Sequence, residues 1–417
     1  MRRMILGGGS NQLELIKKSR DRGDYIVLVD YLDDCPGKLY ADVHLKISTF
    51  DIESVVNACK EYRIDSVVTA GTDQPVYTAA VASKFCKQPF YLSEQTALNV
   101  TNKKYMKETF KAHHIKATNH CFITPDFCDR ELKGLCFPLV MKPVDTQGQR
   151  GIFLVNSHSE IKENINETLS FSREAFALVE EYYDNDEITV NGWVSNGELT
   201  ILSVVDRVTI NDKKHIGICL AHNHPSLHLN NYKDEIEETT QKIVNAFDID
   251  NGPIYFQYLI GESGLLVNEI ACRVGGAYEG ITIPYLTEFD ILGAVLDFPG
   301  NTNIEVDQNN YFETDKHLST QLFFGEEGYI DSISGETVIS SNGNVLAFGL
   351  NFQIGDIIPP LENAKARVGY FITKGLNHQD MIVNVERNFE TLQVGTTNLI
   401  KNYLSYEKRY KYVNEDL

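Results

Sequence analysis

The sequence contains no apolar run close to the roughly 20 residues that a membrane-spanning helix needs, so we expect no membrane span. Its eight cysteines are scattered without a Cys-x-x-Cys pair, which favours reduced thiols in the cytoplasm over a disulfide framework or a zinc site. Basic residues are in deficit, 38 against 58 acidic ones, and a net charge of −20 argues against nucleic acid and anionic membranes as partners. A secretory signal, an internal repeat and a low-complexity linker are also missing from the pattern, which predicts closely packed domains.

What is present predicts an α/β protein of several domains. A length of 417 residues suits two to four domains. Over the first hundred residues, apolar segments at 4–6, 25–29, 65–69 and 90–92 alternate with helical patterns. This alternation predicts a doubly wound parallel sheet in an N-terminal domain, residues 1–101.

The pattern changes twice farther along the chain. After a polar helix near 102–114, a shorter alternation of strands and one helix over 118–182 predicts a small α+β lid. Long strands then dominate, and a glycine-rich, β-rich tail follows. We therefore expect a second domain at 102–300, which includes the lid, and a β-rich C-terminal domain at 301–417.

The segment around Lys142 has the features of a polyphosphate site. An apolar run ends at Lys142, a loop with Gly148 and Gly151 follows, and a second apolar run covers 152–155. The lysine supplies a point charge, while glycines let backbone N–H groups approach phosphate oxygens. A plain β-hairpin with a surface lysine would share this pattern, so the motif alone leaves both interpretations open.

Five more residues farther apart in the chain suit a nucleotide. Lys103 begins a helix, where backbone N–H groups already attract anions. An apolar strand ends in Glu180 and Glu181, where a carboxylate can accept from an adenine amino group while the backbone near Tyr182 reads the ring edge. Glu187 follows a turn and can accept from two ribose hydroxyls. Each glutamate, taken singly, could equally be an exposed strand end.

A predicted hairpin places two oxygen-bearing side chains together. With a three-residue loop at 262–264 and Gly264 left-handed, Gln257 lies opposite Glu269, and the pair could hold Mg²⁺ against phosphates. Arg273 follows in a turn of small residues, where it could bracket a phosphoryl group or a substrate carboxylate. A salt bridge between Arg273 and Glu269 is the alternative.

Two other patterns are weaker. Gly7-Gly8-Gly9 with Asp30 resembles part of a dinucleotide fingerprint, but Gln12 occupies the third glycine position, which favours a simple tight turn. His222 and His224 share one strand face without an acidic or cysteine partner at zinc spacing. We interpret them as candidate substrate-pocket residues.

Together, these motifs resemble the ATP-grasp superfamily in order and spacing. The first hundred residues are similar to the domain that precedes ATP-grasp in biotin carboxylase, carbamoyl phosphate synthetase and purine-pathway ligases, and the tail is similar to that of ATP-grasp amino acid ligases. The resemblance implies an ATP-grasp fold with a pre-ATP-grasp domain, a lid and a β-rich lobe. Its implied site comprises ATP-binding residues (Lys103, Lys142, Gly148, Gly151, Glu180, Glu181, Tyr182, Glu187), metal-binding residues (Gln257, Glu269) and catalytic residues (Lys142, Arg273).

The resemblance implies an ATP-dependent ligase that activates a carboxylate as an acyl phosphate for attack by an amine. ATP and Mg²⁺, or Mn²⁺ in its place, are the expected cofactors, with small-molecule substrates and a homodimer as a compatible assembly. The sequence departs from the family at Gln257, usually Glu or Asp, and at Ala271, usually Asn. A purine-pathway or carboxylation-type enzyme and a non-catalytic ATP-binding protein therefore stay open, with an NAD-dependent dehydrogenase more distant.

Overall fold

The computed structural model describes residues 1–146, 148–211, 216–307 and 315–395. The N-terminal region forms a parallel four-stranded sheet in the order β3-β2-β1-β4. Its elements are β1 Arg2–Leu6, α1 Leu13–Asp21, β2 Tyr25–Asp30, β3 Val43–Lys46, α2 Ile52–Glu61, β4 Ser66–Val68 and α3 Gln74–Cys86, with a 3₁₀ helix at Pro36–Tyr40. None of the helices in the described ranges is long and apolar enough to cross a membrane.

The expected strand at 90–92 is wrong, and β3 takes its place as the fourth strand. Tyr91 is buried, packs edge-on against Phe298 and donates from its hydroxyl to the Cys272 carbonyl. The aromatic segment therefore anchors the N-terminal region to the rest of the chain by its side chains. Because β3 has half-buried residues rather than a continuous apolar run, its sequence gives a weak strand signal.

Two helices then lead into a small antiparallel sheet. Asn102 caps the second helix, because its side chain accepts from the Lys104 amide. The sheet has the order β5-β8-β6-β7, and Ile161 and Ile165 of its helix pack on Leu139 and Met141. The elements are α4 Glu94–Thr101, α5 Lys103–Ala112, β5 His120–Ile123, a 3₁₀ helix at Asp129–Leu132, β6 Leu139–Pro143, β7 Phe153–Val155, α6 His158–Ser170 and β8 Ala177–Glu181.

An antiparallel eight-stranded sheet forms the body of the molecule, in the order β13-β12-β9-β10-β11-β14-β19-β17. Helix α8 and the β3 strand are elements that the sequence pattern did not predict. The elements up to the first C-terminal strand are β9 Asp186–Ser195, β10 Glu198–Asn211, β11 Ile216–His224, α7 Leu229–Ala246, β12 Asn251–Gly261, β13 Gly264–Ala271, α8 Glu279–Thr287, α9 Ile291–Asp297 and β14 His317–Phe324. His215, the expected start of β11, and Gln147 of the glycine loop lie outside the described residues.

The last region continues the same sheet. Strand β14 pairs with β11, and β19 pairs with β14. The large sheet therefore contains strands from both sides of the domain boundary expected at residue 300. The division of the chain into domains at 101 and 300 remains a prediction. The remaining elements are β15 Gly328–Tyr329, β16 Ile333–Ser334, α10 Glu336–Ser340, β17 Val345–Leu350, β18 Ile357–Ile358, a 3₁₀ helix at Ala364–Ala366, β19 Arg367–Gly375, α11 His378–Thr391 and β20 Gln393–Val394.

Side-chain alternation divides the large sheet into a core face and a cleft face. On β12, Ile254, Phe256 and Tyr258 enter the main core with residues of α3, α5 and α7. The alternate residues Tyr255 and Gln257 line a cleft on the other face. Since successive side chains of a strand point to opposite faces, burial of one set directs the polar set into the cleft.

Candidate active site

A cleft of about 1500 Å³ lies among the N-terminal sheet, the small sheet and the large sheet. The structure brings ten of the eleven predicted site residues to its wall, namely Lys103, Lys142, Gly148, Glu180, Glu181, Tyr182, Glu187, Gln257, Glu269 and Arg273. Gly151 is not among the lining residues. It has a left-handed φ of +70°, and a Cβ there would lie 2.8 Å from the Phe171 ring, so it packs against the end of α6.

The β12–β13 hairpin places Gln257 opposite Glu269, as predicted, but by a different route. Gly261 pairs with Gly264, so the turn has two residues where three were expected. A β-bulge between Gln257 and Tyr258 then restores the register near the cleft. Gly264 has the expected left-handed backbone, with φ +85°. The turn prediction was wrong in length, and the bulge compensates for it.

Gln257, Glu187 and Arg207 form a hydrogen-bonded chain along the cleft floor. Gln257 donates from Nε2 to Glu187 Oε2 at 2.7 Å, and Arg207 Nη1 lies 2.5 Å from the same oxygen. This arrangement leaves the Gln257 carbonyl oxygen as an acceptor. Sequence reasoning missed Arg207, because its role depends on the neighbouring strand β9.

Lys142 is held by a buried carboxylate between two lysines. Glu180 forms ion pairs with Lys142 and with Lys107, the latter at 2.9 Å, and it accepts from the Thr118 hydroxyl at 2.8 Å. Burial raises the pKa of Glu180, but the two lysines outweigh it and hold that pKa well below its usual range. Lys107 is almost fully buried and was not predicted from sequence. One signal was available, because Lys103 and Lys107 are spaced i,i+4 on one helix face.

Lys103 connects α5 to both sides of the cleft. Its amide donates to the Val144 carbonyl at 2.8 Å, and its Nζ donates to the Thr146 carbonyl at 3.2 Å. The same Nζ lies 3.4 Å from Glu269 Oε2. Burial raises the pKa of Glu269, but Lys103 and Lys142 reverse this and lower it. The metal-ligand candidate is therefore a charged carboxylate next to two cations.

Arg273 pairs with Asp73 and not with Glu269, the alternative that the sequence left open. Arg273 Nε lies 2.7 Å from Asp73 Oδ1, and its guanidinium stacks 4.7 Å from the Tyr255 ring centre. Asp73 belongs to the loop that precedes α3. The arginine thus joins the N-terminal region to the large sheet at the cleft.

His222 has partners that the sequence did not reveal. Its Nδ1 lies 3.4 Å from Glu279 Oε1, and Cys219 of the same strand also lines the cleft. Sequence spacing did not reveal these two residues as neighbours of His222, because Glu279 belongs to helix α8, far along the chain. No group of three His, Cys, Asp or Glu side chains in the described ranges is arranged to hold a metal ion.

The glycine turn after β1 is closed by contacts within the protein. The Gly8 amide donates to Asp30 Oδ2 at 2.7 Å, and Gln12 donates to the Ala70 carbonyl at 2.7 Å. Gly7 has φ +95° and packs on the Gln12 side chain. These contacts agree with a tight strand-to-helix turn.

Comparison with known protein families identifies two domains in the chain. Residues 135–280 match the ATP-grasp domain, and residues 321–397 match L-amino acid ligase C-terminal domain 2. Residues 135–280 form an ATP-grasp domain. This domain contributes Lys142, Glu180, Glu187, Gln257 and Glu269 to the cleft.

Two curated relatives match part of the chain. The C-terminal section of the carbamoyl phosphate synthase large chain from Aquifex aeolicus is 26% identical over 157 residues, 37% of this chain and 28% of that protein. The D-alanine–D-alanine ligase of Fusobacterium nucleatum is 24% identical over 163 residues, 35% of this chain and 54% of that protein. The matches thus span about half the length of these relatives or less.

Solved structures resemble nearly the whole chain in fold. An L-amino acid ligase from Bacillus licheniformis aligns with a TM-score of 0.79 at 16% identity, over 94% of this chain and 98% of that one. A phosphoribosylglycinamide synthetase from Anaerococcus prevotii aligns with a TM-score of 0.74, also at 16% identity and with the same coverage. The predicted fold class is confirmed: an ATP-grasp fold with an N-terminal parallel sheet and a β-rich C-terminal part.

Proposed function

We propose that this protein is an ATP-dependent carboxylate–amine ligase that releases ADP and phosphate. The observation that carries the proposal is the convergence of Lys103, Lys142, Glu187, Gln257 and Glu269 on one cleft. Cations for phosphates and acceptors for a ribose and a metal ion therefore share one site. Proteins with an ATP-grasp domain use ATP and a divalent cation, in keeping with this set.

In the proposed reaction, a carboxylate oxygen attacks the γ-phosphorus of ATP and gives an acyl phosphate. Lys103 and Lys142 neutralise phosphate charge, and Glu187 accepts from the ribose hydroxyls. The loop with Gly148 covers the phosphates and excludes water that would hydrolyse the acyl phosphate. Arg273 exchanges part of its contact with Asp73 for the substrate carboxylate or the moving phosphoryl group.

Glu180 takes a different part from the one first expected. Because its carboxylate already binds two lysines and a threonine hydroxyl, we assign it to holding Lys142 in place. Adenine recognition then falls to the backbone around Glu181 and Tyr182, which also line the cleft. This division leaves no buried lysine without a counter-charge.

The residues present fit one divalent cation. Glu269 offers a carboxylate, and the Gln257 amide, with its nitrogen turned to Glu187, offers a carbonyl oxygen. Mg²⁺ commonly binds through one or two protein oxygens and completes its shell with phosphates and water. When bound, it would neutralise the β- and γ-phosphates. Ala271 supplies no oxygen, so we propose one ion as the working number.

The C-terminal match favours a ligase of amino acids over the alternatives. Residues 321–397 match a domain named for L-amino acid ligases, and these residues supply Phe348 and Arg367 to the cleft. A purine-pathway substrate would bring a phosphoribosyl group. A non-catalytic protein would bind ATP without turnover. We propose amino acids as the carboxylate and amine substrates.

A screen for phosphate release over pairs of amino acids, with ATP and Mg²⁺, tests this function. We expect release that requires both a carboxylate and an amine. Lys142→Ala should lower the rate by about 100-fold or more, since it removes a cation from a water-excluded phosphate site. The fold should survive, because Glu180 keeps Lys107 as a partner. Lys162→Ala, on the exposed face of α6, is the matched control and should keep the wild-type rate.

Other results of the screen would replace the proposal. Release stimulated by bicarbonate or by a phosphoribosyl amine would point to the purine or carboxylation class. Tight ATP binding with no release under any pair would point to a binding protein. A wild-type rate in Lys142→Ala would contradict the assignment of the phosphate site.

A further inference from the structure

Strand β11 contains a bulge that turns a cysteine into the cleft. Val208 of β10 pairs with Ala221, but the next residue, Thr209, pairs with Cys219, so Leu220 is an extra residue. In a regular strand, residues 219 and 222 point to opposite faces. The bulge removes this opposition, and Cys219 and His222 both line the cleft. Bulges next to active sites commonly re-aim a side chain in this way.

Cys219, His222 and Glu279 form a connected series. The Cys219 thiol donates to the Ala221 carbonyl at 3.7 Å beside the His222 ring, and His222 Nδ1 lies 3.4 Å from Glu279 Oε1. Because Nδ1 faces the carboxylate, Nε2 is the nitrogen available to the thiol. Glu279 is itself fixed, since its Oε2 accepts from the Ala277 amide at 2.7 Å. His222 and Glu279 are buried, whereas Cys219 is partly exposed to the cleft.

The charges around this series favour a thiolate. Burial raises the pKa of Cys219, but His222, Arg207 and Arg367 outweigh it, and the net pKa is lowered. Burial lowers the pKa of His222, yet Cys219 and Glu279 raise it to about 9. Without nearby cations the result is the opposite, because burial and the charge of Glu131 raise the pKa of Cys121 to about 11. The charges around Cys219 and His222 thus favour a thiolate next to an imidazolium.

The thiol lies on the same cleft wall as the phosphate site. Arg207, which acts on Cys219, also binds Glu187, and Glu187 accepts from Gln257. Gln149, in the glycine loop, packs against Gly217, two residues from Cys219. An acyl phosphate formed beside Lys142 and Glu269 would therefore have the thiolate within the same enclosed space.

We propose that Cys219 is a nucleophile that receives the acyl group as a thioester before the amine arrives, an inference that rests on the ligase function proposed above. The thiolate sulfur attacks the carbonyl carbon of the acyl phosphate. The bond from that carbon to the phosphate oxygen breaks, and phosphate leaves with a proton from the His222 imidazolium. The amine nitrogen then attacks the thioester carbon and the C–S bond breaks. Neutral His222 takes the amine proton, which restores the ion pair and gives the amide.

The role of Glu279 is to position His222. It holds Nδ1, so that Nε2 can exchange a proton with the sulfur, the phosphate and the amine in turn. This arrangement explains why the buried carboxylate of Glu279 follows the turn of small residues after Arg273. It also uses a histidine that the ATP site leaves unassigned.

Alkylation measures whether the thiol is activated. With the full-length protein and limiting iodoacetamide at pH 6.5, an ordinary thiol of pKa near 8.5 is only about 1% ionised. We expect Cys219 to react at least ten times faster than Cys128 and Cys136, which are exposed internal controls. Glu279→Gln and His222→Gln should reduce this advantage. Equal rates for all three cysteines would contradict an activated thiol.

Acetyl phosphate, a minimal acyl phosphate, tests acyl transfer without ATP or an identified substrate. We expect an acetyl adduct on Cys219 that neutral hydroxylamine removes, as it removes thioesters but not acetyl-lysine. Cys219→Ser should lack this adduct, and His222→Gln should form it more slowly. Thermal melting of both variants checks their folding. Failure of the wild type to form the adduct would overturn the proposal.

The two proposals fail separately. If Cys219→Ala keeps the full rate of ATP-dependent amide formation, the amine attacks the acyl phosphate directly, and only the nucleophile is wrong. If the thioester forms from acetyl phosphate but no amino acid pair stimulates phosphate release, the ligase assignment is wrong, while the acyl-accepting thiol stands.

Discussion

At the scale of single residues, the least expected feature is the number of charged side chains that are buried within hydrogen-bonding distance of one another. Glu180 is enclosed by Lys107 and Lys142, and Glu187 by Arg207 and Gln257. An intact buried ion pair adds little to the free energy of unfolding, but removing one partner leaves the other charge buried without a counter-charge. Ion pairs and hydrogen bonds among the side chains of the cleft therefore hold these carboxylates in place before any substrate binds.

Glu180→Gln should reduce the free energy of unfolding by about 3–5 kcal/mol, because it strands two buried lysines. Chemical denaturation at pH 7 measures this difference. Glu181→Gln is the matched control, since Glu181 is less buried and accepts only from Asn119 and the Cys136 amide. Its loss should stay within about 1.5 kcal/mol.

The same pair of proteins should respond differently to acid. The folded-state pKa of Glu180 lies below its ordinary value of 4.5, so its stabilisation is complete above that pH and declines below it. The gap between wild type and Glu180→Gln should therefore shrink as the pH falls from 5 to 3. A gap that stays constant over this range would contradict the ion-pair account.

The types and order of residues in the sequence predicted which residues line the cleft better than they predicted which residues form ion pairs with each other. Lys103 begins a helix, Lys142 ends an apolar run and Glu269 lies opposite Gln257 on a predicted hairpin. The resemblance to the ATP-grasp superfamily implied that these residues share one site. Arg207, on strand β10, and Glu279, the first residue of helix α8, gave no comparable signal, since charged residues are mostly exposed. Which carboxylate a buried cation meets depends on strands that are distant in sequence.

At the scale of elements, small irregularities decide which way the side chains point. The bulge in the β12–β13 hairpin brings Gln257 opposite Glu269, and the bulge at Leu220 directs Cys219 into the cleft. Alternation predicts faces well where strands are regular. Alternation fails at bulges, because the extra residue shifts the pattern by one position and no particular residue type marks where it lies.

The glycine loop offers a prediction with an internal comparison. Gly148 and Gly151 are both left-handed, but a Cβ at Gly148 meets nothing within 4 Å, whereas one at Gly151 would overlap Phe171. Gly148→Ala should cost about 1–2 kcal/mol from the backbone alone, and Gly151→Ala a further 1–3 kcal/mol from overpacking.

The effect on kinetics should be larger for Gly148→Ala, whereas the effect on stability should be larger for Gly151→Ala. Because Gly148 lines the cleft and Gly151 does not, Gly148→Ala should raise KM for ATP more than Gly151→Ala does. Denaturation curves and steady-state kinetics on the same preparations check both halves. Identical changes in the two variants would contradict separate roles.

At the scale of the whole molecule, the cleft is bounded by three sheets, and side chains reach across the boundaries between them. Arg273 reaches Asp73 across one boundary, and Lys103 reaches Glu269 across another. The architecture was predictable because long apolar periodicities define layers. The joining of the C-terminal strands to the large sheet was not, since strand partners far apart in sequence leave no local pattern.

ATP with Mg²⁺ should stabilise the folded protein as a unit. A ligand at 100 times its Kd adds about 2.7 kcal/mol to the folded state, which a rise in Tm reports. Lys142→Ala should lose most of this rise, and EDTA should reduce it in the wild type, because the cation helps to hold the phosphates. An unchanged Tm at millimolar ATP would count against nucleotide binding at this cleft.

Strand β11 has a consequence for how such a protein can diversify. One edge of β11 is paired with β10 and the other with β14, so the nucleotide-binding part and the tail have a strand in common. Exchanging the tail for an unrelated one would leave the main-chain amides along one edge of β11 without hydrogen-bond partners, and an unpaired strand edge promotes aggregation. New specificities in this lineage should therefore arise by point replacements along β11 and β14, and recombination breakpoints should avoid the segment between them.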